Sequence, residues 1–452
     1  MRSNPPGDPN EQATLDRPRF QPTDASIDFV LSVVEGPDQG TTFTVAGSHP
    51  SRVLVGSGPA CELRLTDREV SRRHAAIEPA GRRLRITDVG STNGTFVDGV
   101  AIVEVLLRGG EIVRLGSTAI QVADAPVATR TALPVQTHFG EMVGASTEMR
   151  RIYPLCDRLA QSNVTVVIEG ETGTGKEVLA EALHEQGPRA DNPFVVFDCT
   201  AVPANLLESE LFGHERGAFT GAVATRKGMF EQAHGGTLLI DEIGDLDLSL
   251  QPKLLRAIER GEIRRVGGDR SIKVDVRVLA ATRRDLDREV QAGRFRDDLF
   301  HRLAVARIEL PPLRRRAGDV PLLARHFWHA LGGDDSSLSG DLLLRWQDYA
   351  WPGNVRELRN TVARRLALGE LAQQPVAADS PLEEIAPGAD FLDTILGLGL
   401  SLIDARQRMV EEFERRYIDR ILLQHGGSVT KAASASGIAK RHFQRLKSRG
   451  RK

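Results

Sequence analysis

Three cysteines in 452 residues, Cys61, Cys156 and Cys199, stand far apart and without metal-ligand spacing. That excludes a disulfide framework and a cysteine zinc site, and it reads as reduced thiols in a core. No apolar run reaches the roughly 18 residues that a spanning helix needs. The N-terminus, with Pro5, Pro6, Gly7, Asp8 and Pro9, lacks the apolar stretch of a secretory signal. The expected setting is cytoplasmic. Aromatics are scarce at 5%, hydrophobic content is 40% and formal charge is −2, the composition of a soluble globular chain with room for about three domains. The near-neutral balance hides one further absence. From His425 to Lys452 there is no Asp or Glu, while Lys431, Lys440, Arg441, Arg445, Lys447, Arg449, Arg451 and Lys452 are basic. Such a block points to a polyanion partner.

What is present centres on Gly170-Glu171-Thr172-Gly173-Thr174-Gly175-Lys176-Glu177. It follows the β-branched run Val164–Ile168 and opens a helical pattern with Val178, Leu179, Ala182 and Leu183 on one face. A glycine-rich turn between a buried strand and a helix start exposes unpaired backbone N–H groups, and with Lys176 these can cradle a triphosphate. Glu177 stands where many such loops carry the Ser or Thr that binds Mg²⁺, so the metal must be held mainly from elsewhere. Further strands, Phe194–Phe197, Thr237–Ile240 and Val276–Ala281, alternate with helical stretches and predict a parallel sheet covered on both faces. Thr237–Ile240 runs into Asp241-Glu242. Asp241 is placed to bind Mg²⁺, and Glu242 to orient and deprotonate the attacking water.

Ahead of this region, short β runs between turn signals, from Phe29-Val30-Leu31 to Ile112-Val113, predict a β-sandwich over residues 27–124, after a polar, proline-rich tail at 1–26. Val70-Ser71-Arg72-Arg73-His74 and Asp88-Val89-Gly90-Ser91-Thr92-Asn93-Gly94-Thr95 closely resemble the forkhead-associated (FHA) domain, a reader of phosphothreonine. The resemblance implies that Ser71 and Arg72 hold the phosphate with help from Thr92. It also implies that Asn93 bonds the peptide backbone and His74 braces the loop. Gly56-Ser57 replaces the family's usual Gly-Arg. A hydrogen bond to a charged group is worth about 1.5–3 kcal/mol, so affinity falls by roughly ten- to a hundred-fold unless Arg52 or Arg73 substitutes.

Between the two nucleotide motifs stands Gly217-Ala218-Phe219-Thr220-Gly221-Ala222, led in by Glu208–Arg216. A phenylalanine flanked by glycines makes poor core and poor helix; it suits a mobile loop with an apolar tip. This segment resembles the signature of bacterial enhancer-binding proteins, AAA+ ATPases that activate sigma-54 RNA polymerase. In that family the loop grips the sigma factor. The resemblance implies ATP and Mg²⁺ as cofactors, and a homo-oligomer ranging from a dimer to a hexameric or heptameric ring. It further implies that Arg296 and Arg302, in Phe295–Leu303, are supplied to a neighbouring subunit's ATP, and that Arg356, in Trp351–Leu358, is a second sensor. Two positions depart from the family. Asp198 stands where an Asn usually restrains the catalytic glutamate, and Thr282-Arg283 replaces the first sensor's Thr-Asn.

At the C-terminal end two short helical patterns surround Ser436-Gly437-Ile438, with helix-turn-helix spacing. The segment resembles a Fis-type domain. Lys431, Lys440, Arg441, His442, Gln444 and Arg445 are the candidate DNA contacts, the lysines on phosphates and Arg441, His442 and Gln444 on base edges of an inverted-repeat site. The expected organisation is therefore an all-β FHA sandwich (27–124), a linker (125–138), an α/β AAA+ core (139–310), a helical lid (311–372), a second linker (373–400) and an all-α DNA reader (401–452). The function implied is sigma-54-dependent activation, gated by a phosphothreonine protein or its Ser/Thr kinase. The alternative is a DNA-bound, phosphoprotein-binding scaffold or repressor with little ATP turnover.

Overall fold

Residues 27–59, 61–125, 133–334, 338–369 and 421 are described in the computed structural model. The expected helix-turn-helix, with Lys431, Lys440, Arg441, His442, Gln444 and Arg445, lies outside the described residues.

Strict alternation in Phe29–Glu35 buries Phe29, Leu31 and Val33 and turns their neighbours outward. The same period builds two sheets. One has six strands and pairs Phe29–Glu35 with Thr118–Asp124 and Thr42–Val45; the other has five and centres on Ala75–Ala80. Their inner faces share one core, which includes Val53, Ile77, Leu84, Ile86, Val113 and Val122. The sandwich is thus as expected, although Ala75–Ala80, Val100–Ile102, Glu104–Leu107 and Thr118–Asp124 add strands that the sequence reading did not name. Ala75–Ala80 has Ile77 as its one β-branched residue among alanines and Pro79, and pairing on both sides makes it a strand.

The central domain is a five-stranded parallel sheet in the order Phe194–Asp198, Thr237–Asp241, Arg277–Thr282, Val166–Glu169 and Ala306–Glu309. Apolar clusters cover both faces, one holding Leu238, Ile240 and Ala280 and the other Leu239, Leu279 and Ile168. The fifth strand was not foreseen, because Ala306-Arg307-Ile308-Glu309 alternates where the other four run almost continuously apolar. Three helices, Asp319–Ala330, Gly340–Asp348 and Asn354–Leu368, form a lid with its own core around Trp328, Trp346 and Trp351.

Arg277 shows how a charged residue fits at the start of a buried strand. It is 2% exposed, and its guanidinium donates to Leu159 O (2.6 Å), Leu183 O (3.1 Å) and Ala160 O (3.3 Å). These carbonyls end Thr147–Ala160 and Lys176–Glu185, so one side chain caps two helices, the second of them beginning at Lys176. Burial, with Arg189 nearby, pulls its pKa down to about 10, leaving it charged at neutral pH. A buried acceptor left unpaired costs about 1–3 kcal/mol. Arg277→Met is therefore expected to lower the thermal unfolding midpoint by about 5 °C or more, measured by scanning calorimetry; a shift under about 1 °C would contradict the capping role.

Candidate functional site

All five parallel strands deliver their carboxyl ends to one edge, where the loops that follow them can meet around a ligand. Val166–Glu169 leads into the glycine-rich turn, and Lys176 begins the helix Lys176–Glu185. Gly173 and Gly175 have φ of +80° and +104°, conformations that a side chain resists. At Gly173 the reason is also steric, since a Cβ would lie 2.3 Å from Gly353 O of the lid.

Lys176 is 7% exposed; its Nζ donates to Gly170 O at 3.0 Å and lies 3.8 Å from Glu242 Oε1. Burial lowers its pKa against the opposing pull of Glu242 and Asp241. Glu242 itself has φ +49° and ψ +44°, an uncommon backbone for a residue with a side chain. That turn separates the two acids, as Asp241 ends the strand with Oδ1 accepting from the Glu242 N–H (2.9 Å) while the Glu242 carboxylate reaches toward Lys176. A lysine at a helix start and two carboxylates at one sheet edge fit a nucleoside triphosphate with a divalent cation. Asp241 is the residue that would hold the metal. Thr174 would not, since its hydroxyl donates to Glu171 O (2.8 Å), and Glu177 is exposed on the helix.

The residues at the two departures have different partners. Asp198 Oδ1 accepts from Thr200 N and Oγ1, both at 2.7 Å, and makes no hydrogen bond to Glu242. The contact on Glu242 comes from Arg283, whose backbone N–H donates to Oε2 at 3.1 Å and whose Nε lies 3.8 Å away. Thr282 is fully buried, with Oγ1 accepting from Arg284 N (3.1 Å) and its carbonyl from Gly170 N (3.1 Å), so it ties two loops together.

The lid closes on the glycine-rich turn through residues that the sequence reading missed. Asn354 donates to Glu171 Oε2 and Thr172 O, both at 3.1 Å, and its Oδ1 accepts from Leu313 N at 2.8 Å. Arg314 pairs with Glu171 (2.7 Å), and Arg316, buried, donates to Thr174 O (2.9 Å). Arg356, exposed in the first helical turn beside them, donates its backbone N–H to Gly173 O at 3.2 Å. The available signal was Asn354 beside Gly353, because asparagine tolerates the φ of +53° found there.

Gly217–Ala222 forms a tight turn closed by Gly217 N donating to Ala222 O (2.8 Å), with Gly217 and Gly221 at positive φ in open space. Phe219 is 37% exposed and not fully outward, since its ring packs edge-on against His214 at 5.0 Å. Ala218 sits against Gly267, Thr220 is exposed, and Ala222 is buried at the base. Arg296 caps Asp297–Leu303, bonds Asp298 at 2.6 Å and is fixed through its N–H to Gln251 Oε1 (2.8 Å), another residue missed in the sequence. Arg302 is exposed and has no carboxylate partner among the described residues.

On the sandwich, Ser71, Arg72, Thr92 and Asn93 gather on neighbouring loops. Ser71 Oγ accepts from Thr92 N at 3.0 Å, and Asn93 Nδ2 donates to Glu69 O at 2.8 Å. His74 is fully buried and burial lowers its pKa; its Nδ1 accepts from Ser71 N (3.1 Å), which leaves Nε2–H to donate to Gly94 O (3.1 Å). The imidazole thus joins the two loops. Neither Arg52 nor Arg73 stands in for the arginine absent at Ser57, because both are turned into the central domain, where they pair with Asp287 at 3.1 and 2.9 Å.

Comparison with known proteins gives these features a family. The Sigma-54 interaction domain model matches residues 142–309, and the AAA+ ATPase lid domain model matches 314–384. Residues 32–126 match the model described as the inner membrane component of T3SS, cytoplasmic domain. The response regulator protein PilR of Pseudomonas aeruginosa is 44% identical over 315 residues, 68% of this chain and 69% of that protein. The Nif-specific regulatory protein of Enterobacter agglomerans is 45% identical over 302 residues (65% and 58%), and the transcriptional regulator NtrC of Klebsiella pneumoniae is 47% identical over 254 (55% and 54%). The chain spans little more than half the length of these last two. Among solved structures, NtrX from Brucella abortus in complex with ATP is similar over 69% of each chain, with 33% identity and a TM-score of 0.47. An FHA domain from work on phosphothreonine-dependent interactions is similar over 22% of this chain and 99% of that one, with 31% identity and a TM-score of 0.20. With the sigma-54 model laid over the whole parallel sheet, and a relative of this identity aligned across most of its own length, the chain belongs to the family of sigma-54 enhancer-binding proteins.

Proposed function

We propose that this chain is a cytoplasmic, DNA-bound activator that hydrolyses ATP to remodel the closed complex of sigma-54 RNA polymerase. The observation that carries the reading is the buried Lys176 set 3.8 Å from Glu242, on a chain that also presents the Gly217–Ala222 loop. The amides of Gly173, Gly175 and the helix start, with Lys176, hold the triphosphate, and Asp241 holds Mg²⁺ together with phosphate oxygens and water. Glu242 positions and deprotonates the water. Arg356 serves from the lid, while Arg296 and Arg302 act on a neighbouring subunit's nucleotide, which ties turnover to ring assembly. Asp198, Thr282 and Arg283 report the state of the phosphate, with Arg283 the one in contact with Glu242. Phe219 is the apolar contact on the sigma factor. The C-terminal segment docks on an inverted repeat of double-stranded DNA. The sandwich reads a phosphothreonine protein through Ser71, Arg72, Thr92 and Asn93, with hydroxyl and guanidinium donors suited to a dianion.

A scaffold with little turnover is the competing reading, and a single substitution separates the two. Glu242→Gln removes the base but not the phosphate donors, so ATPase rate should fall by about 10²-fold or more while fluorescent-nucleotide affinity changes little. An unchanged phosphate-release rate would favour the scaffold. Phe219→Ala should behave in the opposite way. Its ATPase rate is expected to stay within about twofold of the parent, because surface truncations away from the site leave chemistry intact. Transcription from a sigma-54 promoter in vitro should disappear. Full transcription by this variant would remove the loop from the account.

A further inference from the structure

The sandwich is not a passive neighbour of the ATPase domain. Arg52 is 13% exposed at its side chain and pairs with Asp285 (2.9 Å), Asp287 (3.1 Å) and Glu169 (3.5 Å). Arg73, 5% exposed, pairs through Nε with Asp287 (2.9 Å) and through its terminal nitrogen with Asp297 (3.0 Å), and it lies 4.5 Å over the Phe300 ring. Asp287 is fully buried and receives both arginines from the module, with Arg307 of its own domain at 2.8 Å. Arg288 adds a bond to Asp88 O at 2.8 Å, and Gln291 donates to Arg73 O. The module therefore sits on two short helices, Leu286–Gln291 and Asp297–Leu303, and the second begins directly after Arg296 and contains Arg302.

One contact joins this docking to the ligand-reading face. Arg72, the guanidinium assigned to phosphate, pairs with Asp297 Oδ2 at 2.7 Å while remaining 67% exposed. Ser71, Thr92 and Asn93 stay outside the contact, bonded only within the sandwich. Asp297 is held below the usual carboxylate range, since the bonds from Arg73 and Arg72 outweigh its burial, so it meets both arginines as an anion. A carboxylate on the phosphate's guanidinium is a weaker, singly charged substitute for the dianion.

We infer that Asp297 acts as an internal stand-in for the phosphorylated ligand, so that a phosphothreonine partner and the helix bearing the trans arginines compete for Arg72. The inference rests on the phosphothreonine reading of the sandwich. The two binding events are then linked reciprocally, each weakening the other by the same factor. Docking weakens the phosphopeptide, and the phosphopeptide loosens the docking. The docked state holds the start of Asp297–Leu303 through Arg72 and Arg73, and is thus the restrained state of the finger segment. The surface is suited to reversal. It is built from charged groups, and a cleft of 440 Å³ lined by Arg52, Glu62, Phe300 and Arg307 runs along it. Polar contacts between domains of one chain are the kind that separate.

The test uses the full chain and two substitutions on the ATPase side, which leave the sandwich untouched. The probe is a fluorescein-labelled peptide library with a fixed central phosphothreonine, beside the same library with threonine, followed by anisotropy. Asp297→Asn should bind the phosphorylated library about two- to fivefold more tightly than the parent, the range that an exposed ion pair supports. Asp287→Asn, which removes the one acid that Arg52 and Arg73 share and leaves Arg72 untouched, should tighten it by about tenfold or more. In the parent, adding the phosphorylated library should speed amide hydrogen exchange in residues 286–303, and the unphosphorylated library should not. Preferential binding of equal strength in all three proteins, with exchange in 286–303 unchanged, overturns the competition and leaves the phosphothreonine reading standing. No preference for phosphothreonine in any of the three overturns that reading and the competition with it.

Discussion

The arrangement depends on one constraint. A parallel sheet gathers the carboxyl ends of its strands on a single edge, and a buried ammonium there must be neutralised by acids from a different strand. Lys176 follows Val166–Glu169, Glu242 follows Thr237–Asp241, and the 3.8 Å between them holds because Arg277–Thr282 lies between the two strands in register. The lid and the 217–222 loop are placed relative to this edge. The lid reaches it through Asn354 and Arg316, and the glycine-flanked loop at 217–222 lies in the chain between the strands that end in Asp198 and Asp241. The strained turn at Glu242 persists because three neighbours over-determine it: the Asp241 carboxylate below, Lys176 on one side and the Arg283 N–H on the other.

Features requiring special backbone were legible in the sequence. Gly173, Gly175, Gly217 and Gly221 all adopt positive φ, and each lay in a motif recognised by its glycine spacing. Strands that are apolar throughout were equally plain, whereas Ala306–Glu309 escaped because its outward residues are Arg307 and Glu309. Partner choice was least legible. Asp198, which stands where the family's restraining Asn usually does, bonds its own turn, while Arg283, at the first-sensor position, supplies a contact on Glu242. Arg52 and Arg73 looked like spare phosphate donors. Their partners Asp285, Asp287 and Asp297 lie more than 200 residues away in sequence, and nothing in local periodicity announces pairs at that separation.

Electrostatics in this chain therefore does two kinds of work. At the strand edge it is focused on a few groups that a nucleotide would complete. Between sandwich and ATPase domain it is spread over arginines facing a larger number of acids, with Asp287 and Glu169 almost completely buried. Buried ion pairs contribute little net stability compared with apolar packing, but losing one partner strands the other at high cost. Such a contact is weak as glue and strong as a condition: it tolerates both arginines or neither. That property suits a module whose attachment is meant to respond to a competing anion.

The central claim is that nucleotide chemistry at the strand edge changes what Phe219 touches. A photo-crosslinking amino acid at position 219 tests it most directly, in purified full-length protein mixed with sigma-54 polymerase and promoter DNA. The account predicts a crosslink to the sigma subunit that forms with ADP and aluminium fluoride and is lost with ADP alone. A crosslink of equal strength in both states, or none with the transition-state mimic, would contradict it.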